Sequence, residues 1–310
     1  MGELRKDYIL DRWVLIVPKR GERPNEFVKQ SVPNQSSCFF CPGHESLTPS
    51  EIGRIGDTSK TGQSGGWRVR WFENKFPAVA PHDFNLQTHN RFFTFGSATG
   101  VHEVIVETPD HRQLAELSEQ EIAWVLEVYG HRIDELSKHY SYVSVFKNSG
   151  PEAGTSLIHS HSQLIATHTI PKDVRDKCDA RRKFVECPYC AIIATESKSE
   201  RRVAENSDWV AFCPYASRFN GEVVFFPKHH ITSFNHANYA TLAPLLKKVL
   251  SKVSSSYNLA LTYSPVGEDL HVHLELLPRA STWGGFELGS GTIINTLAPE
   301  DAAAYYRGKA

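Results

Sequence analysis

The chain has 310 residues, enough for one large or two medium domains around a sizeable core. Apolar residues make up 40% and charged residues 22%, and the formal net charge is −1, which argues against a nucleic-acid track. No apolar run approaches bilayer-spanning length, and the N-terminal MGELRKDYIL lacks a signal core, a cleavage site and, with Lys6, a myristoylation pattern. The expectation is a cytoplasmic protein with neither nucleic acid nor membrane as a partner.

In chain order, the first marked feature is Cys38-Phe39-Phe40-Cys41, followed by a glycine-rich segment at 56–66 that reads as an exposed loop. Glu103-Val104-Ile105-Val106 predicts a strand, ending at Pro109-Asp110-His111. Ser118 and Glu121 form a capping-box pattern, and Ile122, Val125, Leu126, Tyr129, Ile133 and Leu136 make the apolar stripe of a helix. A strand is predicted from Tyr142 to Phe146, and the chain then reaches His159-Ser160-His161. The polar stretch from Pro171 to Glu186 reads as a linker.

The same order then recurs. Cys187-Pro188-Tyr189-Cys190 leads to the strand Glu222-Val223-Val224-Phe225 and to Lys228-His229-His230. Leu242, Leu245, Leu246, Val249, Leu250 and Val253 form a second helical stripe; the strand Leu259 to Tyr263 and His271-Val272-His273 follow. Aligned without a gap from Glu103 and Glu222, His111 falls on His230. The repeat predicts an α+β protein with two halves, 1–170 and 171–310, each a mainly antiparallel sheet with a packed helix. Short connections around Gly221 and Gly267 suit antiparallel neighbours.

Paired cysteines with this spacing favour metal or redox chemistry in the cytosol. Thiolates and imidazoles suit tetrahedral zinc, and four protein ligands close a site to water. The ligand sets are Cys38, Cys41, His111 and His159, and Cys187, Cys190, His230 and His271. Two structural zinc ions per chain are expected, iron being the alternative at the second site. A thioredoxin-like motif is disfavoured because neither CxxC is expected to open a helix after a βαβ-type strand.

The richest segment runs from Phe146 to Gln163. Gly150, Gly154 and Ser156 allow close backbone approach to a ligand, and loop amides can cradle phosphate. Alternation along an extended strand puts His159, His161 and Gln163 on one face. One imidazole is then free for metal and the next for phosphorus, and the Gln163 amide can donate to a phosphoryl oxygen.

HxHxQ after a Gly-Ser loop resembles the histidine-triad superfamily. The two halves, the CxxC pairs and Gly284-Gly285-Phe286-Glu287-Leu288-Gly289-Ser290-Gly291 are similar to its galactose-1-phosphate uridylyltransferase family. The resemblance spans nearly the whole chain, from Arg5-Lys6-Asp7 through Asn74-Lys75-Phe76-Pro77-Ala78 to Pro299-Glu300-Asp301. It implies that His161 is the nucleophile and His159 a zinc ligand, and that Arg23, Asn74 and Phe76 lie near the nucleotide. It also implies that Asn148, Ser156 and Gln163 hold phosphates, that Phe286 and Glu287 lie at the sugar, and that the protein is a homodimer with sites at the subunit interface. Uridylyltransferases of the family have Pro where this chain has Ser160, and HSHSQ is similar to the plant-type relative that acts on ADP-glucose with phosphate.

The activity so implied is ping-pong transfer of a nucleotide between hexose 1-phosphates, with UDP-glucose as donor and galactose 1-phosphate as acceptor. ADP-glucose phosphorylase is the first alternative. A nucleotide phosphoramidate or dinucleotide hydrolase and a zinc-stapled binding protein come after it. In the second half Leu274-Glu275 follows the HxH, and the chemistry is expected to be lost there.

Overall fold

The computed structural model describes residues 2–6, 13–16, 38–56 and 66–309. Arg23 and most of the 56–66 segment lie outside the described residues. A small antiparallel sheet contains β1 (Glu3–Lys6), β2 (Trp13–Ile16), β5 (Leu86–His89) and β6 (Phe93–Ser97), in the order β2-β1-β6-β5. The remaining strands are β3 (Glu51–Gly56), β4 (Trp67–Glu73), β7 (Gly100–Val106), β8 (Tyr142–Ser149) and β9 (His161–Thr167), then β10 (Arg202–Glu205), β11 (Trp209–Phe212), β12 (Val223–Pro227), β13 (Tyr257–Thr262) and β14 (His273–Pro278). They form one antiparallel sheet in the order β10-β11-β12-β14-β13-β8-β9-β7-β4-β3.

Read inward from either edge, the order is the same. β3, β4, β7, β9 and β8 correspond to β10, β11, β12, β14 and β13. The two expected sheets are therefore joined edge to edge between β8 and β13, where Asn148 faces Asn258 and Val145 faces Leu261. At this seam Tyr142 and Tyr263 stack at 4.7 Å, and each hydroxyl accepts a hydrogen bond from a backbone N–H beside the other ring, Val143 N at 2.9 Å and Tyr263 N at 3.4 Å. Joining the edges satisfies two rows of backbone groups that separate sheets would leave open.

One face of the sheet is covered by α1 (Glu119–Ser137) and α4 (Tyr239–Leu250). Their predicted stripes are buried, from Ile122 to Leu136 and from Leu242 to Leu250. The helices pack closely where Gly130 meets the Tyr239 hydroxyl, and a Cβ at Gly130 would collide with it. The opposite face carries two smaller apolar clusters, one with Phe40, Trp67, Phe72, Val104 and Val106, the other with Ile193, Val210, Phe212, Val224 and Phe226.

The capping box at α1 forms as the sequence predicts, Ser118 Oγ accepting from Glu121 N and Glu121 accepting from Ser118 N at 2.8 Å. Arg112 also binds Glu121, at 2.7 Å, and together with the cap holds its carboxyl down at about 2. Ser118→Ala is expected to cost about 1 kcal/mol of stability. Because the folded-state pKa of Glu121 is depressed, its stabilisation is present above the unfolded carboxylate value and is lost as pH falls toward 2. Thermal melting of Glu121→Gln against wild type should show a gap at neutral pH that begins to narrow below about pH 4 and closes near pH 2.

Two expectations are corrected, and a third holds only in its strand context. Pro171 to Glu186 is not an open linker but contains α2 (Lys172–Arg181), anchored by buried Val174 and Cys178 one turn apart. Cys187 is the N-cap of α3 (Pro188–Glu196), so the second CxxC does open a helix; Pro188 fits its first turn because the missing N–H has no helical partner there. It is preceded by α2 rather than a strand, so the βαβ context of a thioredoxin site is absent. The gap-free alignment also slips by one residue within the sheet. Val104 pairs with Gln163, whereas Val224 pairs with Glu275, so Val104 corresponds to Val224 and the second half is one residue shorter before His230.

Candidate active site

The first CxxC, the loop after β7 and the approach to β9 converge. The ligand atoms of Cys38, Cys41, His111 and His159 all lie within 4.8 Å of one another. Cys41 Sγ is 3.2 Å from His111 Nε2, and Cys38 Sγ is 3.4 Å from His159 Nδ1. These spacings resemble the edge of a zinc tetrahedron, about 3.4–3.8 Å from ordinary Zn–S and Zn–N lengths. His159 Nε2 donates to Thr108 O at 2.8 Å, which leaves the Nδ1 lone pair facing the sulfurs.

Cys187, Cys190, His230 and His271 form the matching cluster. His271 Nε2 donates to Pro227 O at 3.0 Å, and His230 Nε2 meets Asp269 at 2.7 Å, so both Nδ1 atoms face the thiols. Burial and the neighbouring thiol push Cys41 up to about 12 and Cys190 to about 11, so a metal bound at either cluster would release protons. The first cluster is mostly buried and the second is half open, with His230 exposed. Both donor sets fit a metal held for structure.

Beside the first cluster stands His161, the first residue of β9 and 7% exposed. Its Nδ1 donates to His159 O at 2.8 Å, so Nε2 carries the lone pair. Burial, opposed in part by that carbonyl, pushes the imidazole down to about 4 and keeps it neutral. The Phe40 ring packs against both histidines, with centroids 5.9 Å from His159 and 5.4 Å from His161.

Two hollows meet at His161. One is lined by Phe39, Phe40, Leu47, Phe72, Asn74, Phe76, Val104, Ser156 and Gln163. Its aromatic and aliphatic walls suit a flat ring system, with polar groups at one end. The other lies under the 150–160 loop and is lined by Gln113, Asn148, Gly150, Thr155 and Ser160. Gly150 needs its positive φ of 85°, and a Cβ there would strike Ser256.

Asn74, Phe76, Asn148, Ser156, His161 and Gln163 thus gather in one place. Phe286 and Glu287 do not line either hollow. They sit on the exposed α5 (Gly285–Ser290), where Glu287 accepts from Gly284 N at 2.9 Å.

Sequence reasoning missed His102. Its Nδ1 accepts from Ala78 N at 3.0 Å, so Nε2 is the protonated nitrogen and donates to Gln163 Oε1 at 2.9 Å. That bond fixes the Gln163 amide with its NH2 end directed away from His102. The available signal was alternation on β7, which places His102 on the same face as Val104 and Val106.

The second half contains the same histidine pair in a closed form. His273 Nδ1 donates to His271 O at 2.9 Å, as in the first half, but its Nε2 lies 3.0 Å from Lys177 Nζ on α2. Lys177 also binds Glu275 at 3.2 Å, the residue that stands where the first half has Gln163. The lone pair that is open in His161 is therefore occupied in His273.

Residues 2–171 match the family described as galactose-1-phosphate uridyl transferase, N-terminal domain. An ADP-glucose phosphorylase of Arabidopsis thaliana is 34% identical, with 98% of this chain aligned to 92% of that protein. A galactose-1-phosphate uridylyltransferase of Thermotoga maritima is 29% identical over 99% of this chain and 98% of its own. A solved uridylyltransferase structure superposes with a TM-score of 0.81 at 25% identity, covering 99% of this chain and 98% of that one. The structure of an Arabidopsis thaliana ADP-glucose phosphorylase with bound ADP-glucose gives 0.76 at 31% identity and 99% coverage of each. With its fold, its histidine pair and these relatives, the chain is an enzyme of the galactose-1-phosphate uridylyltransferase family.

Proposed function

We propose that the protein moves a nucleoside monophosphate between hexose 1-phosphates through a nucleotidyl-His161 intermediate, with UDP-glucose as donor and galactose 1-phosphate as acceptor. The observation that carries this reading is the open Nε2 of His161 between an aromatic hollow and the Gln163 amide, beside a second histidine whose Nε2 is blocked. The His161 lone pair attacks the α-phosphorus, the P–O bond to hexose 1-phosphate breaks, and that phosphate leaves with the electron pair. An acceptor phosphate oxygen then displaces the imidazole. Gln163, Asn148 and Ser156 stabilise charge on the phosphoryl oxygens, while Asn74, Phe76 and Arg23 hold the nucleoside. Residues 1–170 act as the catalytic half. Residues 171–310 act as scaffold and carry Phe286 and Glu287, which reach the sugar across the interface of a homodimer.

A second reading, ADP-glucose phosphorylase, is favoured by Ser160 between the histidines, whose hydroxyl lies 2.6 Å from Glu107 in a site where proline has no hydroxyl to offer. Assay of UDP-glucose and ADP-glucose, each with galactose 1-phosphate and with inorganic phosphate, separates the two. UDP-glucose with galactose 1-phosphate should turn over fastest. Faster phosphorolysis of ADP-glucose assigns the second reading, and release of free nucleoside monophosphate without an acceptor makes the enzyme a hydrolase.

A further inference from the structure

Beneath His161, on the helix-covered face of the sheet, lies a closed set of buried polar groups. Lys147 is 2% exposed and Glu107 1%. The Lys147 ammonium donates to Glu107 Oε2 at 2.7 Å, Ser160 Oγ at 3.0 Å and His161 O at 3.3 Å, which uses all its N–H groups. Ser160 donates to the same Glu107 oxygen at 2.6 Å. The other oxygen takes Ser162 Oγ, and the Tyr129 hydroxyl at 3.3 Å, with Tyr129 and Ser162 also bonded to each other. One carboxylate thus holds the residues on both sides of the nucleophile.

The fold does not require this set, and the second half shows why. Strand pairing matches Val104 with Val224 and Phe146 with Ala260, since each pair faces Gln163 or Glu275. Counting from those anchors, Lys147, Ser160 and Ser162 correspond to Leu261, Val272 and Leu274; the second half is one residue shorter after Phe226, and buried Pro227 stands in place of Glu107 and Thr108, its carbonyl taking His271 as that of Thr108 takes His159. From the helix caps at Ser118 and Asn238, Tyr129 corresponds to Val249. The half whose histidine is closed fills the same space with apolar side chains. A buried ion pair is poor value for stability against well-packed apolar residues, so its presence only under the open histidine calls for another role.

We propose that Glu107 and Lys147 are positioning residues for the nucleophile: they clamp Ser160, Ser162 and the His161 carbonyl, and so hold the His161 Nε2 in line with the α-phosphorus. This rests on the reading of His161 as the nucleophile. Truncating one partner leaves the other charged and unpaired in the interior, so single variants are expected to lose stability whatever the role of the pair. The informative protein carries Glu107→Leu together with Lys147→Leu, the apolar filling that the second half tolerates.

Full-length protein is assayed with UDP-glucose and galactose 1-phosphate, and with ADP-glucose and phosphate, beside His161→Gly. The double variant should keep its metals and its Tm, with KM changed less than about threefold and kcat lowered about 100-fold, the scale of a small misplacement of reacting atoms. Exchange of the His161 Nδ1 proton, followed in protein labelled with 15N-histidine, should quicken about tenfold without loss of Tm. Ser160→Ala with Ser162→Ala keeps the ion pair, releases the strand, and should lower kcat about tenfold. A double leucine variant with wild-type Tm, kcat and Nδ1 exchange overturns the clamp. If that variant does not fold, an unchanged kcat in the serine variant overturns it instead. Should His161→Gly retain turnover, the nucleophile assignment itself has failed. A dead His161→Gly beside a fully active leucine pair condemns only the clamp.

Discussion

His161→Gly should lower turnover of natural substrates by at least about four orders of magnitude, as deletion of an enzyme nucleophile does, while metal content and fold stay intact. The reason is positional. On the proposed mechanism the imidazole supplies the attacking Nε2, and its Nδ1 bonds to the His159 carbonyl and lies outside the Cys/His cluster, so removing the ring takes away no candidate metal ligand. The space left beside the Phe40 ring should admit a nucleoside 5′-phosphoimidazolide, which brings the missing ring already bonded to phosphorus. Turnover with that compound should return in the glycine variant alone. Wild-type enzyme quenched after mixing with nucleotide sugar should show by mass spectrometry one nucleoside monophosphate on His161. An adduct on His273 contradicts the geometry, because Lys177 stands against that nitrogen. Exchange of label without any acid-labile adduct would rule out the covalent path.

The second large effect concerns metal. Elemental analysis is expected to give two zinc ions per chain, since both donor sets pair two thiols with two imidazoles, a combination suited to tetrahedral zinc. The two sites should not release metal alike. Chelator should strip the half-open Cys187 site quickly, and the buried Cys38 site slowly. Turnover should survive the first loss and fail with the second, because His159 passes its carbonyl to the His161 ring. Cys38→Ser should remove one metal equivalent. If metal is normally present a thousandfold above its Kd, that loss removes about 4 kcal/mol. Tm should then fall on the order of 10 °C. Iron in the second site, or activity loss tracking the fast phase, would reverse this assignment.

The two Cys/His clusters and the paired histidines were legible because they recur in a fixed order. CxxC, strand, histidine, helix, strand and HxH each leave a local trace, and the repetition tied them together. The ion pair beneath the nucleophile left no such trace. Glu107 and Lys147 lie 40 residues apart, and each follows an apolar run, Val104 to Val106 and Tyr142 to Phe146, where a charged residue reads as the solvated end. His102 was hidden for the same reason, since its partner Gln163 is 61 residues away on the adjoining strand. α2 was missed because its polar sequence buries only Val174 and Cys178, too thin a stripe to give a clear helical period. The start of α3 was missed too, although Cys187-Pro188 carries a signal for it, since proline in the first turn is a helix signal.

The seam between β8 and β13 also reassigns residues that seem remote from chemistry. Asn258 donates to Asn148 Oδ1 at 2.8 Å and to Ala153 O at 3.0 Å, and Ser256 bonds to Glu152. The loop that leads to His161 is thus moored to the opposite half of the chain. A scan of single substitutions should accordingly score Asn258 and Ser256 with the active loop, although each is about 100 residues from it in sequence. Cutting the polypeptide between the halves would cast off that mooring and bare the edge of β8 at the same stroke. The half without an open histidine is in this sense the quay to which the His161 loop is tied.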